Sequence, residues 1–317
     1  MEIPKVTGGY SGSVNRLTIG AAKDSGGSRT VTVTVGGSRN AVYAGGPEEA
    51  GARPVIAMDV PDSEPADWPQ ALAGAYGNVK TGGAEWAKKC ADEFGAELLC
   101  VKFDGIHPDK GDRDATHAAA VTRAVLETVG IPLILWGSGN DEKDNEVMPK
   151  ISEAAKSENC LIGTVTEGNY KALTAIALAD GHSLITEAPL DINISKQVNI
   201  LVSEMGFPVE KIVTFQSTGA LGYGMEYSYS IQERQRLAAL SGDRMMTGPV
   251  ICDAGYEAWR AKEAKIDEPS WGPASERGPM WEAITAVCLL QAGADIVRMR
   301  HPKAVAVVRD FIEQVWK

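Results

Sequence analysis

From Arg53 onward the chain alternates short apolar runs with longer amphipathic stretches, and that alternation restricts the fold more than any other feature. Eight runs have the length and apolar content of strands: PVIAMDV, ELLCVKFD, IPLILWGS, CLIGTVTE, SLITEAPLD, KIVTFQST, GPVICDAG and ADIVRMRH. Helical stretches lie between them, among them GAEWAKKCADEF, DATHAAAVTRAVLETV and PMWEAITAVCLLQAG, and KAVAVVRDFIEQVW closes the sequence. Strands this apolar are buried on both faces, as in a parallel sheet covered by helices. Eight such units satisfy a (β/α)8 TIM barrel. An open doubly wound sheet is the alternative, but MDVPDSEPADWP, after the first run, is not the glycine-rich fingerprint such sheets carry. The expected organisation is a barrel over residues 51–317 preceded by a short N-terminal β extension over residues 1–50. In that extension Val31, Val33 and Val35 alternate with Thr32 and Thr34, and glycine pairs at 8–9, 26–27 and 36–37 mark turns.

A barrel binds its ligands at the C-terminal ends of its strands. Those ends carry Asp59, Asp104, Asn140, Glu167, Asp191, Gln216, Asp253 and the run Arg298 to His301, a polar mouth of mixed sign. The sixth end leads into STGALGYGMEYSYSIQERQRLAAL, residues 217–240. Its glycines fit neither the dinucleotide fingerprint nor a P-loop, and no Lys or Arg occurs between Ser217 and Ile231, so a phosphate cradle is disfavoured. Glycine lets a loop approach a large flat ligand or a partner closely, and Tyr223, Tyr227 and Tyr229 supply amphipathic rings. The competing reading is that the tyrosines pack on the barrel wall. The residues expected to bind a cofactor are Asp191, Gln216, Ser217, Thr218, Gly219, Gly222, Tyr223, Gly224, Asp253 and Tyr256, taken from strand ends five to seven.

Other chemistry is thinly represented. Lys102 shares strand parity with Asp104 and is either a Schiff-base lysine or half of a buried ion pair with Asp59 or Glu187. His107, His117, His182 and His301 lack metal-ligand spacing, so each reads as a hydrogen-bonded structural residue. The segment after the seventh strand holds Pro269, Pro273, Pro279, Trp259, Trp271 and Trp281, and reads as a lid or docking loop or as tryptophans tucked into helices. A net charge of −11 argues against nucleic acid and against an anionic membrane surface. No apolar run reaches membrane-spanning length and no signal peptide is evident, so a cytoplasmic protein is expected. The 5 cysteines include no CxxC and read as buried free thiols.

Several long strings together resemble one family. They are LTIGAAKDSGGSRTVTVTVGG, APLDINISKQVNIL, GALGYGMEYSYSIQERQRLAALSGD, PVICDAGYEAWRAKEA and RGPMWEAITAVCLLQAGADIVRMRHPKAV. The sequence resembles, from near residue 15 to its end, the small (delta-type) subunit of the corrinoid iron–sulfur protein of the reductive acetyl-CoA pathway, in the CO dehydrogenase/acetyl-CoA synthase system. The resemblance implies a (β/α)8 barrel in a heterodimer with a large subunit carrying a [4Fe–4S] cluster and a cobalamin-binding domain. It implies base-off cobalamin held between the barrel mouth and that domain, with no histidine from this chain below the cobalt. The nearest string to the DxHxxG of histidine-donating carriers, DGIHPDKG, breaks that spacing. It further implies two other partners: a methyltetrahydrofolate methyltransferase that delivers the methyl group, and acetyl-CoA synthase that receives it. The residues alone leave a second class open, a free-standing barrel methyltransferase binding methyltetrahydrofolate through Asp104, Asn140 and Asp191, and a third, an aldolase-type enzyme using Lys102.

Overall fold

The computed structural model describes residues 9–42 and 48–316. Among these, eight parallel strands close into a barrel: β3 (Val55–Pro61), β4 (Leu98–Lys102), β5 (Leu133–Trp136), β6 (Leu161–Val165), β7 (Ser183–Glu187), β8 (Ile212–Phe215), β9 (Val250–Cys252) and β10 (Ile296–Met299), with β10 pairing β3. Each of the eight expected strands is present. Two further strands, β1 (Arg16–Ile19) and β2 (Val33–Gly36), form an antiparallel hairpin before it. The expected turn at residues 8–9 lies partly outside the described residues, as do residues 1–7 and 43–47 of the extension.

Strand parity divides the barrel into two cores. One set of alternate residues, such as Met58, Leu99, Leu135 and Val297, faces the helices. The other set fills the interior: Val55 and Ala57, Leu98 and Cys100, Ile134 and Trp136, Val213 and Phe215, Ile251 and Ile296. Leu17, Ile19, Val33 and Val35 of the hairpin join that interior set. The hairpin therefore closes the barrel at the N-terminal ends of its strands. Its backbone is tied to the loops there: Gly20 N donates to Asn159 O at 2.9 Å, Thr30 N to Gly130 O at 2.8 Å and Asn15 N to Thr247 O at 2.7 Å. The Arg29 side chain is buried against the same end, with Nε 2.9 Å from Glu158 Oε2. Val31 lies outside β2 and is exposed, so the inward-facing alternation is carried by Val33 and Val35 alone.

The helices are α1 (Gln70–Ala73), α2 (Ala84–Asp92), α3 (Ala115–Thr128), α4 (Asp141–Ala154), α5 (Tyr170–Asp180), α6 (Ile192–Glu204), α7 (Met225–Leu240), α8 (Ala254–Arg260), α9 (Lys262–Lys265), α10 (Ala274–Ala292) and α11 (Pro302–Val315). The segment after β9 is thus mostly helical rather than an open loop. No described helix is long and apolar enough to cross a membrane.

Candidate functional site at the barrel mouth

The interior parity that buries Ala57, Ile251 and Ile296 also points Asp59, Asp253 and Arg298 inward, one step nearer the mouth. They meet there. Arg298 Nη1 lies 2.7 Å from Asp253 Oδ2, and its Nε donates to Asp59 Oδ1 at 3.0 Å. Arg300, two residues on, reaches Asp59 Oδ2 through Nε at 3.0 Å. Two cations thus face two anions. Burial disfavours the charge on Arg298, but Asp253 and Asp59 outweigh it and raise its pKa further, so it stays protonated. Burial pushes the Asp253 carboxyl up, and Arg298 pulls it back. The Arg298 guanidinium lies 4.1 Å from the Trp136 ring centroid, and Phe215 meets Trp136 edge-on. Arg298 is 0% exposed, so the centre of the mouth is filled by protein.

Beside this plug a cleft of about 430 Å³ opens between the loops following β3 and β4. It is lined by Asp59, Asp62, Trp68, Lys102, Asp104, Lys110 and Arg300, among others. Lys102 is not paired with Asp59, whose oxygens are taken by the two arginines. It donates to Gly137 O and stands 3.6 Å from Asp104 Oδ1, which Lys110 also approaches, at 3.1 Å. Burial would raise the Asp104 carboxyl, but Lys102 and Lys110 together hold it below its ordinary value. Glu187, the other expected partner of Lys102, is half-buried, and burial raises its carboxyl while Thr164 and Lys102 oppose the rise. Asp62 accepts from Gly105 N at 2.9 Å and stands 3.5 Å from His117 Nε2.

Much of the mouth's polarity caps helices. Asn140 caps α4, Asp191 caps α6, Asp253 caps α8 and His301 caps α11, each accepting from a first-turn N–H. His182 is buried between Cys160 N and Ser152 O, a structural role like that of His301.

The expected binding residues therefore separate into two groups. Gln216, Thr218 and Asp253 are buried and engaged: Gln216 with Gln235, Thr218 Oγ1 with Asp253 N at 2.9 Å, and Asp253 with Arg298. Gly219 is buried as well, and a Cβ there would sit 2.4 Å from Gly224 O, so this glycine lets the loop close on itself. Asp191, Ser217, Gly222, Tyr223, Gly224 and Tyr256 retain exposed or half-exposed surface. Ser217 holds φ at 34°, a left-handed conformation uncommon for serine, and its hydroxyl donates to Ala188 O at 3.1 Å. Tyr223 OH donates to Glu263 Oε2 at 2.8 Å, joining the glycine loop to α9, while Trp281 Nε1 donates to Leu221 O at 3.1 Å. Tyr227 is exposed, Tyr229 half-buried, and Tyr256 lies under Arg300, 5.1 Å from centroid to guanidinium. Arg298 and Arg300 are absent from the expected set, yet the alternation of arginine with Val297 and Met299 already aims both at the interior.

Solved structures with this architecture include the dihydropteroate synthases of Xanthomonas albilineans and Thermus thermophilus. The first aligns with a TM-score of 0.54 and 14% identity over 83% of this chain and 91% of the other, a likeness of fold alone. Closer relatives come from sequence. The acetyl-CoA decarbonylase/synthase complex subunit delta of Archaeoglobus fulgidus is 37% identical over 309 residues, 95% of this chain and 68% of the relative. That of Methanopyrus kandleri is 35% identical over 303 residues, 95% of this chain and 75% of the relative. Residues 17–301 match the family described as CO dehydrogenase/acetyl-CoA synthase delta subunit. The chain belongs to that family of delta subunits.

Proposed function

We propose that the chain is the small subunit of a heterodimeric corrinoid iron–sulfur methyl carrier, acting in the cytoplasm of an anaerobe. On this reading its barrel mouth is the wall against which cobalamin, shared with a large subunit that also bears a [4Fe–4S] cluster, is held and shielded. When bound, cobalamin would supply the cobalt chemistry for carrying a methyl group between a methyltetrahydrofolate methyltransferase and acetyl-CoA synthase. The observation that carries the reading is the filled centre of the mouth: Arg298 is 0% exposed beneath its contacts with Trp136 and Asp59. A broad flat ring edged with amides is suited to resting on such a surface, beside the cleft of about 430 Å³.

Residues with free surface would do the holding. Ser217 and Asp191 offer a hydroxyl and a carboxylate, Gly222 leaves room, and the rings of Tyr223 and Tyr256 give apolar faces with polar tips. Arg300, buried, fixed by Asp59 and flanked by Trp68 and Tyr256, forms part of the cleft wall. Gln216, Thr218, Gly219 and Asp253 set the position of these groups from below. The chain's part is to bind, orient and exclude water, while a mobile partner domain gives access.

Anaerobic affinity purification from the native host tests the proposal, with the visible spectrum and the subunit bands recorded together. The expected result is a stoichiometric larger partner with corrinoid absorption and an iron–sulfur shoulder. A lone colourless chain that methylates cob(I)alamin from methyltetrahydrofolate would overturn it in favour of a free-standing methyltransferase.

A further inference from the structure

One helix grips both sides of the mouth. Trp281 and Thr285 of α10 hold the glycine loop through Leu221 O and Leu221 N, at 3.1 and 3.3 Å. Between them, Glu282 turns the other way and is 0% exposed. Its Oε1 accepts from Arg300 N at 2.5 Å, and its Oε2 from Trp259 Nε1 at 2.6 Å. His301 N is shared between the two oxygens, at 3.3 and 3.1 Å. Three N–H groups from β10–α11 and α8 thus converge on one carboxylate.

We propose that Glu282 is a proton-operated latch: ionised, it clamps the backbone of Arg300 and His301 at the barrel mouth, and on taking up a proton it releases part of that clamp, so that the loop bearing Arg300 gains mobility. An ionised carboxylate accepts on both oxygens, whereas a protonated one turns a donor toward a neighbour. Here every neighbour is itself a donor. A proton on Oε2 confronts Trp259 Nε1–H and His301 N–H, and one on Oε1 confronts Arg300 N–H. The proton comes from solvent and stays on the carboxyl, so it takes the place of one of the four N–H contacts and turns the others from charge-assisted into weaker neutral hydrogen bonds.

The charged and titratable groups around Glu282 are few. Arg300 faces it from the end of β10, with its guanidinium on Asp59. Tyr76 faces it from the segment after β3, and burial raises that phenol well above its ordinary value, so it stays neutral. His301, from the start of α11, is lowered to about 4 by burial, then by Lys303, and is also neutral near pH 7. From α8 comes the uncharged Trp259. Burial raises the Glu282 carboxyl to about 7, against the pull of the Arg300, Trp259 and His301 hydrogen bonds. The balance therefore sits where modest pH changes move it. This inference concerns the chain's own mouth and stands whichever ligand the mouth accepts.

Hydrogen exchange read by mass spectrometry on the full chain, in the complex as isolated, tests it between pH 5.5 and pH 8.5. Rates for the peptide carrying Arg300 and His301 are divided by intrinsic rates to remove the direct effect of pH. Protection is expected to fall about tenfold toward low pH, the loss of roughly one charge-assisted hydrogen bond. Glu282→Gln should abolish the pH dependence. Should that variant fail to fold, Trp259→Phe serves instead: removing a donor that favours the ionised form should move the midpoint upward. Protection that does not change with pH in the wild type, a transition that persists in Glu282→Gln, or a midpoint that Trp259→Phe leaves in place overturns the latch.

Discussion

Arg298 is a fully buried cation, and what it does to stability depends on what is left behind when it goes. Arg298→Met would keep much of the volume but strand Asp253, whose carboxylate has no other cation within ion-pair distance among the described residues. Breaking a buried pair from one side costs about 3–5 kcal/mol. The expected result is an unfolding free energy lower by that amount, read as a lower denaturant midpoint at unchanged slope. Asp104 acts in the opposite pH sense to Glu282. Lys102 and Lys110 hold its carboxyl below the ordinary 3.8 despite burial, so its contribution is present above that pH and is lost as pH falls through the lower folded value. Asp104→Asn should therefore flatten the acid limb of the stability profile below pH ~4 while leaving its slope above pH ~6 unchanged, as measured by unfolding across that range. At this scale sequence exposes residue direction better than residue partner. Period-two alternation aims Asp59, Lys102 and Arg298 at the interior, but Asp59 and Arg298 are 239 positions apart. Which cation takes which carboxylate is settled by closure of β10 onto β3, and Lys102 accordingly pairs with Asp104 rather than with Asp59.

Helix α10 begins at Ala274, ahead of the PMWEAITAVCLLQAG stretch that carries its apolar character. Gly278 and Pro279 read as breakers, and tertiary packing overrides them. A Cβ on Gly278 would lie 2.4 Å from Trp259 Cη2 and 2.7 Å from Ala264 O, so this glycine lets α8 and α9 lie directly against α10. Alanine gains about 1 kcal/mol in helix propensity over glycine. Overpacking costs about 1–3 kcal/mol. Gly278→Ala is therefore expected to be destabilising on balance, with the loss read as a lower thermal midpoint and a change in Trp259 emission. The strand and helix pattern from Arg53 onward was legible because burial on both faces of a parallel strand leaves an unbroken apolar run. The site was less so, since the same Asp, Asn and Ser residues that bind ligands at strand ends also cap helices. Asp191 and Asn140 hold first-turn N–H groups, a job their sequence neighbourhood does not separate from ligand binding.

At the scale of the whole molecule the N-terminal hairpin is part of the barrel's own core. Ile19 is 0% exposed among interior residues contributed by the strands. Ile19→Ala should cost about 2–5 kcal/mol, as for a central core position rather than an appendage. Denaturant unfolding should then report one cooperative transition at a lower midpoint; a separate early transition would mean the hairpin unfolds independently. Closed by that hairpin beneath and by the Arg298–Trp136 stack above, the barrel is a stoppered cylinder with a single working face. Substitutions along the axis are therefore expected to register as a lower melting temperature, and those at exposed rim positions to leave it nearly unchanged.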